Sequence, residues 1–232
     1  MPGLNELREQ VCEANRYLGR TGLVQLTWGN VSGVDRARGV FVIKPSGVPY
    51  PQLESKHMVV ISLADGRVVS GDMNPSSDTP THLALYQAFP DIGGITHTHS
   101  EYATMFAQAH REIPCLGTTH ADHFHGPVPL TRQLTQAEVD GDYEANTGKV
   151  IVERFKGLTA SHVPGVLVAG HGVFTWGRNA SESVKNAVAT ETIAKMAFGS
   201  LLMNPASKPI PDYLLNRHFL RKHGPNATYG QR

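Results

Sequence analysis

A chain of 232 residues with 40% hydrophobic and 18% charged side chains can bury a substantial core, and its length suits one globular domain over residues 1–232. Lys and Arg number 21 against 20 Asp and Glu, a formal charge of +1, which excludes the broad basic field of a general nucleic-acid binder. The two cysteines, Cys12 and Cys115, stand in no metal-ligand or redox spacing, so a reducing, cytoplasmic setting is expected.

Leu4, Leu7, Val11, Ala14 and Leu18 recur at intervals of three and four and predict an amphipathic helix ending near Gly19 and Gly22. Charges at Glu6, Arg8, Glu9, Glu13 and Arg16 interrupt this segment, so it reads as neither a signal-peptide core nor a membrane span. Residues 31–43, broken at 35–39, predict a β-hairpin, and 58–62 with 68–69 across Asp65-Gly66 predict another. A helix is expected over 79–89, with Asp78, Thr79 and Pro80 as capping residues, then a strand over 93–98 and a helix over 100–109. A helix from about 143 to 155, strands over 165–169 and 173–176, a long helix over 180–202 and a last one over 211–223 complete the pattern. Strands and helices mix without strict alternation, which implies an α/β domain around a largely antiparallel or mixed sheet.

Within the strand over 93–98 and just past it, His97 and His99 are separated by one residue, so extended backbone would project both from one face. Two neutral imidazoles can then converge on a borderline ion such as zinc, and a catalytic zinc usually takes three protein ligands while keeping a position open. His171, between Gly170 and Gly172, is the best candidate for the third ligand, because flanking glycines allow close approach, and Asp78 could add a carboxylate oxygen. His57, His82, His110 and His162 read as ordinary polar or helix-surface residues. Three turns, Gly29-Asn30, Ser46-Gly47 and Ser76-Ser77, offer hydroxyls and flexible backbone, with Lys44 beside the second; together they could hold a phosphate dianion, and singly each reads as a plain turn.

The runs Thr27-Trp28-Gly29-Asn30-Val31-Ser32, Lys44-Pro45-Ser46-Gly47-Val48, Pro75-Ser76-Ser77-Asp78-Thr79-Pro80-Thr81-His82 and His97-Thr98-His99-Ser100 closely resemble the class II aldolase family, in its branch of ketopentose-phosphate 4-epimerases. Further matches at Gly117-Thr118-Thr119-His120-Ala121-Asp122, Pro164-Gly165-Val166-Leu167-Val168 and Leu220-Arg221-Lys222-His223-Gly224 carry the likeness over essentially the whole chain. The resemblance implies a three-layer α/β/α sandwich with a central, mainly antiparallel sheet, assembled as a four-fold homotetramer with active sites between neighbouring subunits. It implies zinc, or another divalent ion such as Mn2+ or Co2+, on His97, His99 and His171, with Asp78 as a fourth or weaker ligand. It further implies substrate phosphate on Gly29, Asn30, Ser46, Gly47, Ser76 and Ser77 with the charge of Lys44, an acid/base pair in Asp122 and Tyr229, and site-lining roles for Thr118 and His218.

The substrate so implied is a small phosphorylated ketopentose, with no nucleic acid or membrane as partner. Its C4 would be inverted by cleaving and re-forming C3–C4, since direct deprotonation at C4 gives no stabilised carbanion. Two alternatives share these motifs: an aldolase of the same family that releases its fragments, and a metal-binding relative that has lost catalysis. The sequence departs from the family pattern at His123 and His125, where tyrosines are expected, and at Ala169, where a related enzyme carries histidine. The first pair would alter the rim of the site and its pH profile near neutrality.

Overall fold

Alternating apolar residues decide how the strands sit. In the computed structural model, which describes residues 2–224 with Ala227 and Thr228, Phe41 and Ile43 enter one buried cluster while Val40 and Val42 enter another. Val59 and Ile61 divide from Met58 and Val60 in the same way, so the sheet is covered on both faces. The strands are β1 (Asn30–Asp35), β2 (Val40–Ile43), β3 (Val59–Ser62), β4 (Val68–Ser70), β5 (Gly94–Thr98), β6 (Gly165–Leu167) and β7 (Val173–Gly177). They form one seven-stranded sheet in the order β4-β3-β2-β1-β5-β7-β6, and every pairing is antiparallel.

One face is covered by α1 (Pro2–Arg20) and the first half of the long helix α7 (Ala180–Met203), through Val11, Leu18, Val184 and Ala187. The other carries α2 (Thr79–Ala88) and α6 (Tyr143–Arg154), which pack on each other, with Leu85, Tyr86 and Ile151 in the core. Helix α3 (Glu101–Gln108) leaves the end of β5, and its first free N–H groups, on Tyr102 and Ala103, donate to the Glu191 carboxylate of α7 at 2.8 and 3.0 Å. The last helix among the described residues is α8 (Asp212–His223). The expected α/β/α layering is therefore present, with a sheet that is wholly antiparallel.

Several short elements escape the sequence pattern: 3₁₀ turns at Tyr50–Gln52 and Ser55–His57, α4 (Thr118–Ala121) and α5 (Gln136–Asp140). Asp78 does occupy the N-cap position of α2, yet its side chain makes no cap bond; Thr79 Oγ1 donates instead to the Ser76 carbonyl at 2.6 Å. His82 corrects a second expectation, being fully buried with Nδ1 2.7 Å from Ser32 Oγ, which in turn lies 2.7 Å from Tyr86 OH. Among the described residues no helix is long and apolar enough to cross a membrane.

Candidate metal centre and anion cavity

Strand register builds the site. Asn30 on β1, His97 on β5 and Phe174 on β7 are direct cross-strand partners, so their side chains form one row on one face of the sheet. The His97 ring stacks on Phe174 with centroids 4.1 Å apart, and its Nδ1 lies 3.0 Å from the Val173 carbonyl. Donation from Nδ1–H to that carbonyl leaves the Nε2 lone pair free. His99 lies just past the end of β5, with Nε2 3.0 Å from His97 Nε2. His171 comes from the tip of the β6–β7 hairpin, where Gly170 takes φ +70° and its N–H donates to the Ala107 carbonyl at 3.0 Å.

The centroids of the three imidazoles are each 4.9 Å from the other two, and one nitrogen from each falls within 4.8 Å of its counterparts. Glycine is required next to His171, since a Cβ on Gly172 would stand 2.7 Å from the Thr98 carbonyl and 3.1 Å from the His99 ring. Burial, then the neighbouring His97, pushes His99 down to about 4 and His171 down to about 3. Both rings are thus neutral at physiological pH, with lone pairs directed into a shared space, which is the donor chemistry a divalent metal needs. Three nitrogen donors so placed fit such an ion.

Asp78 borders the same space. Burial alone would raise its carboxyl, but the His97 and His82 imidazoles and a 2.6 Å hydrogen bond from Asn30 Nδ2 outweigh that and hold it below the usual range. Asn30 Nδ2 also lies 3.0 Å from Ser76 Oγ. The set of mutually close ligand atoms among the described residues comprises the three histidines, and Asp78 stands beside it.

The three polar turns meet here as well. A cavity of about 370 Å³ is lined by Gly29, Asn30, Lys44, Ser46, Gly47, Ser76, Ser77 and Asp78 together with His97, His99 and His171. Two loops close it: Ser46 N–H donates to the Asn74 carbonyl at 2.9 Å and Ser76 N–H to the Lys44 carbonyl at 3.0 Å, beside a Pro45–Pro75 bridge. Tyr50 OH, 2.7 and 2.8 Å from the Trp28 and Gly29 carbonyls, holds the first turn, where Gly29 takes φ +84°. Lys44 is 2% exposed, 5.1 Å from the centroid of the Tyr50 ring, and burial lowers its ammonium to about 8. Tyr143 and Glu144, at the start of α6, line the cavity too and were not singled out from sequence. Their signal was the Asp142 cap, whose carboxylate accepts from Ala145 N–H at 3.1 Å and so fixes where α6 begins.

Thr118, Asp122 and His218 gather elsewhere on the chain. Asp122 ends α4, which Thr118 begins, and α4 packs against α8. Its carboxylate accepts from Arg221 at 2.8 and 3.0 Å, lies 3.1 Å from His218 Nδ1 and 3.4 Å from Lys222 Nζ. Burial opposes ionisation of Asp122, and the Arg221 and His218 contacts with the Lys222 charge prevail, holding it below the usual carboxylate range. Thr118, Asp122 and His218 do not line the histidine cavity of the same chain. Tyr229 lies outside the described residues. His123 borders a different cavity with Lys222 and His223, and His125 Nε2 is 2.7 Å from Asn216 Oδ1 on α8, so neither reaches the rim of the metal site within one chain.

A three-histidine centre beside an anion cavity, hung on a wholly antiparallel sheet between helical layers, defines a class. The chain belongs to the class II aldolase and adducin N-terminal domain family, whose model matches residues 9–198. Its curated relatives include the L-ribulose-5-phosphate 4-epimerase UlaF of Salmonella paratyphi C (strain RKS4594), 56% identical over 99% of this chain and 100% of that protein. An L-fuculose 1-phosphate aldolase superposes with a TM-score of 0.74 at 25% identity, covering 92% of this chain and 94% of the other. An aldolase II superfamily protein from Pseudomonas syringae shares the fold with a TM-score of 0.77 at 15% identity, covering 98% and 89%.

Proposed function

We infer that this chain is an L-ribulose-5-phosphate 4-epimerase, an isomerase that interconverts L-ribulose 5-phosphate and D-xylulose 5-phosphate. The observation that carries the reading is the joint presence, in one cavity, of three converging imidazoles and three hydroxyl- and amide-bearing turns with a buried lysine. Similarity to an epimerase at 56% identity over 99% of the chain favours this reaction over that of an aldolase. Residues 1–232 act as one cytoplasmic catalytic domain.

His97, His99 and His171 hold the metal, with Asp78 as an additional oxygen donor; zinc is our assignment, with Mn2+ or Co2+ as substitutes. When bound, the ion supplies Lewis acidity to the substrate carbonyl and stabilises the negative charge left when C3–C4 breaks. The protein residues do the rest. Asn30, Ser46, Ser76 and Ser77 grip the phosphate with Lys44, at turns opened by Gly29 and Gly47, and so keep the two-carbon aldehyde in place while its carbonyl turns over. The C4 hydroxyl must lose a proton on one face and regain one on the other, so two acid/base groups on opposite sides are required. Asp122, kept ionised by Arg221 and His218, and Tyr229 share these transfers.

Within one chain Asp122 does not line the cavity, and this supports an assembly in which Thr118, Asp122, His218 and Tyr229 complete a neighbouring subunit's site, as a four-fold homotetramer allows. Apolar side chains left exposed at the end of α7 and on α8, Leu202, Met203 and Tyr213 among them, fit a subunit contact. The test is a coupled assay for D-xylulose 5-phosphate from L-ribulose 5-phosphate, with and without chelator. Chelator-sensitive interconversion is expected. Free glycolaldehyde phosphate and dihydroxyacetone as the sole products would make the protein an aldolase, and no turnover with no metal uptake would make it an inactive relative.

A further inference from the structure

Of the three imidazoles, two have a partner on the nitrogen turned away from their shared space. His97 uses a main-chain carbonyl, as described. His171 uses a side chain: its Nδ1 lies 3.3 Å from Tyr143 OH, and the two rings sit 6.0 Å apart and inclined at 37°. A neutral histidine carries one ring proton, and the hydrogen bond on one nitrogen decides which nitrogen keeps the lone pair. A hydroxyl can accept from Nδ1–H and so commit the lone pair of His171 to Nε2.

Tyr143 is well placed to hold that hydroxyl still. It is the first residue of α6, set by the Asp142 cap, and its carbonyl accepts from Thr147 Oγ1 at 2.9 Å. The next residue is tied to α2, where Thr81 Oγ1 donates to the Glu144 carbonyl at 2.6 Å. Asp78 and Tyr143 therefore reach the cavity from the starts of two helices packed on one another. His171 needs such support more than His97 does, because it stands on a hairpin tip with no stacked Phe174 beneath it; its contact with that ring is edge-on at 6.3 Å.

We propose that Tyr143 is a positioning residue for the metal centre, fixing the tautomer and orientation of His171 through its hydroxyl. The proposal rests on the reading of the three histidines as a metal site. An outer hydrogen bond of this kind commonly changes metal affinity about 10- to 100-fold.

The test compares wild type, Tyr143→Phe and His171→Gln for zinc affinity, by competition with a chromophoric chelator, and for thermal midpoint without metal. The side-chain nitrogens of histidine are also followed by 15N NMR in the metal-free protein. Tyr143→Phe should bind one ion per chain about 10- to 100-fold more weakly, with an unchanged metal-free midpoint, a mixed His171 tautomer, and kcat recovered at saturating zinc. Unchanged affinity and an unchanged tautomer in Tyr143→Phe would overturn the proposal. So would a kcat that stays low at saturating zinc with affinity intact, since the hydroxyl would then be acting on substrate. If wild type takes up no zinc, and His171→Gln behaves identically, the metal-centre reading itself has failed.

Discussion

Lys44 shows how one side chain can be both buried and charged to a purpose. At 2% exposure it has little water around it, and the contacts that face it are the Pro45 carbonyl at 3.2 Å and the Tyr50 ring. Neither neutralises an ammonium, so a bound dianion is the natural counter-charge. Lys44→Met should raise KM for the phosphorylated substrate roughly 10- to 100-fold, the scale of a lost charge-assisted hydrogen bond, while leaving metal content unchanged by elemental analysis. Equal losses of metal and of substrate affinity would count against a separate role in phosphate binding. The motif around Lys44 was visible in the sequence, but its burial was not, because that depends on Tyr50 folding back over it from a 3₁₀ turn.

The helices show what local pattern can and cannot reveal. The stripe Leu7, Val11, Leu18 marked α1, and the long run behind α7 was equally plain, because many turns of helix repeat the same signal. With four and five residues, α4 and α5 are too short to display a period, so no local pattern places Thr118 and Asp122 on a helix, and their expected roles rest on the family resemblance alone. The Glu191 contact was hidden for a different reason: it joins residues 88 and 89 positions apart in the chain. That carboxylate serves α3 as a cap delivered from another helix, and α3 begins two residues after His99. Glu191→Ala should therefore cost about 1–2 kcal/mol, as loss of an N-cap does, read as a lower urea midpoint with unchanged slope. A midpoint equal to wild type would mean that water replaces the carboxylate.

At the scale of the molecule, the metal and phosphate motifs were legible one by one, but their convergence was not. It depends on β1 pairing with β5 so that Asn30 meets His97, and on the Pro45–Pro75 bridge that brings two distant loops together. Two consequences can be measured. The first concerns acid. Burial lowers His82 to about 3 and His120 to about 4, whereas an unfolded histidine titrates near 6.5. Between those values the unfolded chain binds the extra proton, so stability is full above about pH 6.5 and falls as the pH drops toward 4. Each such histidine should contribute about 2 kcal/mol of loss by pH 5, and His120→Gln should flatten the slope of urea stability against pH; an unaltered slope would assign the acid sensitivity to other groups. The second concerns assembly. If Asp122 serves a neighbour's metal centre, mixing inactive His97→Ala with inactive Asp122→Asn subunits after dissociation should restore activity. No recovery, with heterotetramers demonstrated by mass, would place both residues in one subunit's site.

If Lys44, whose ammonium burial lowers to about 8, takes the substrate phosphate as proposed, substrate binding is also a reaction with the solvent. In the empty cavity at mildly alkaline pH a sizeable share of Lys44 has given up its proton, and an arriving phosphate dianion draws it back. Binding should then take up a proton from the buffer near pH 8, and the fraction taken up should shrink as the pH is lowered toward 6. Titration calorimetry in two buffers with different ionisation enthalpies would reveal this as a buffer-dependent heat, absent in Lys44→Met.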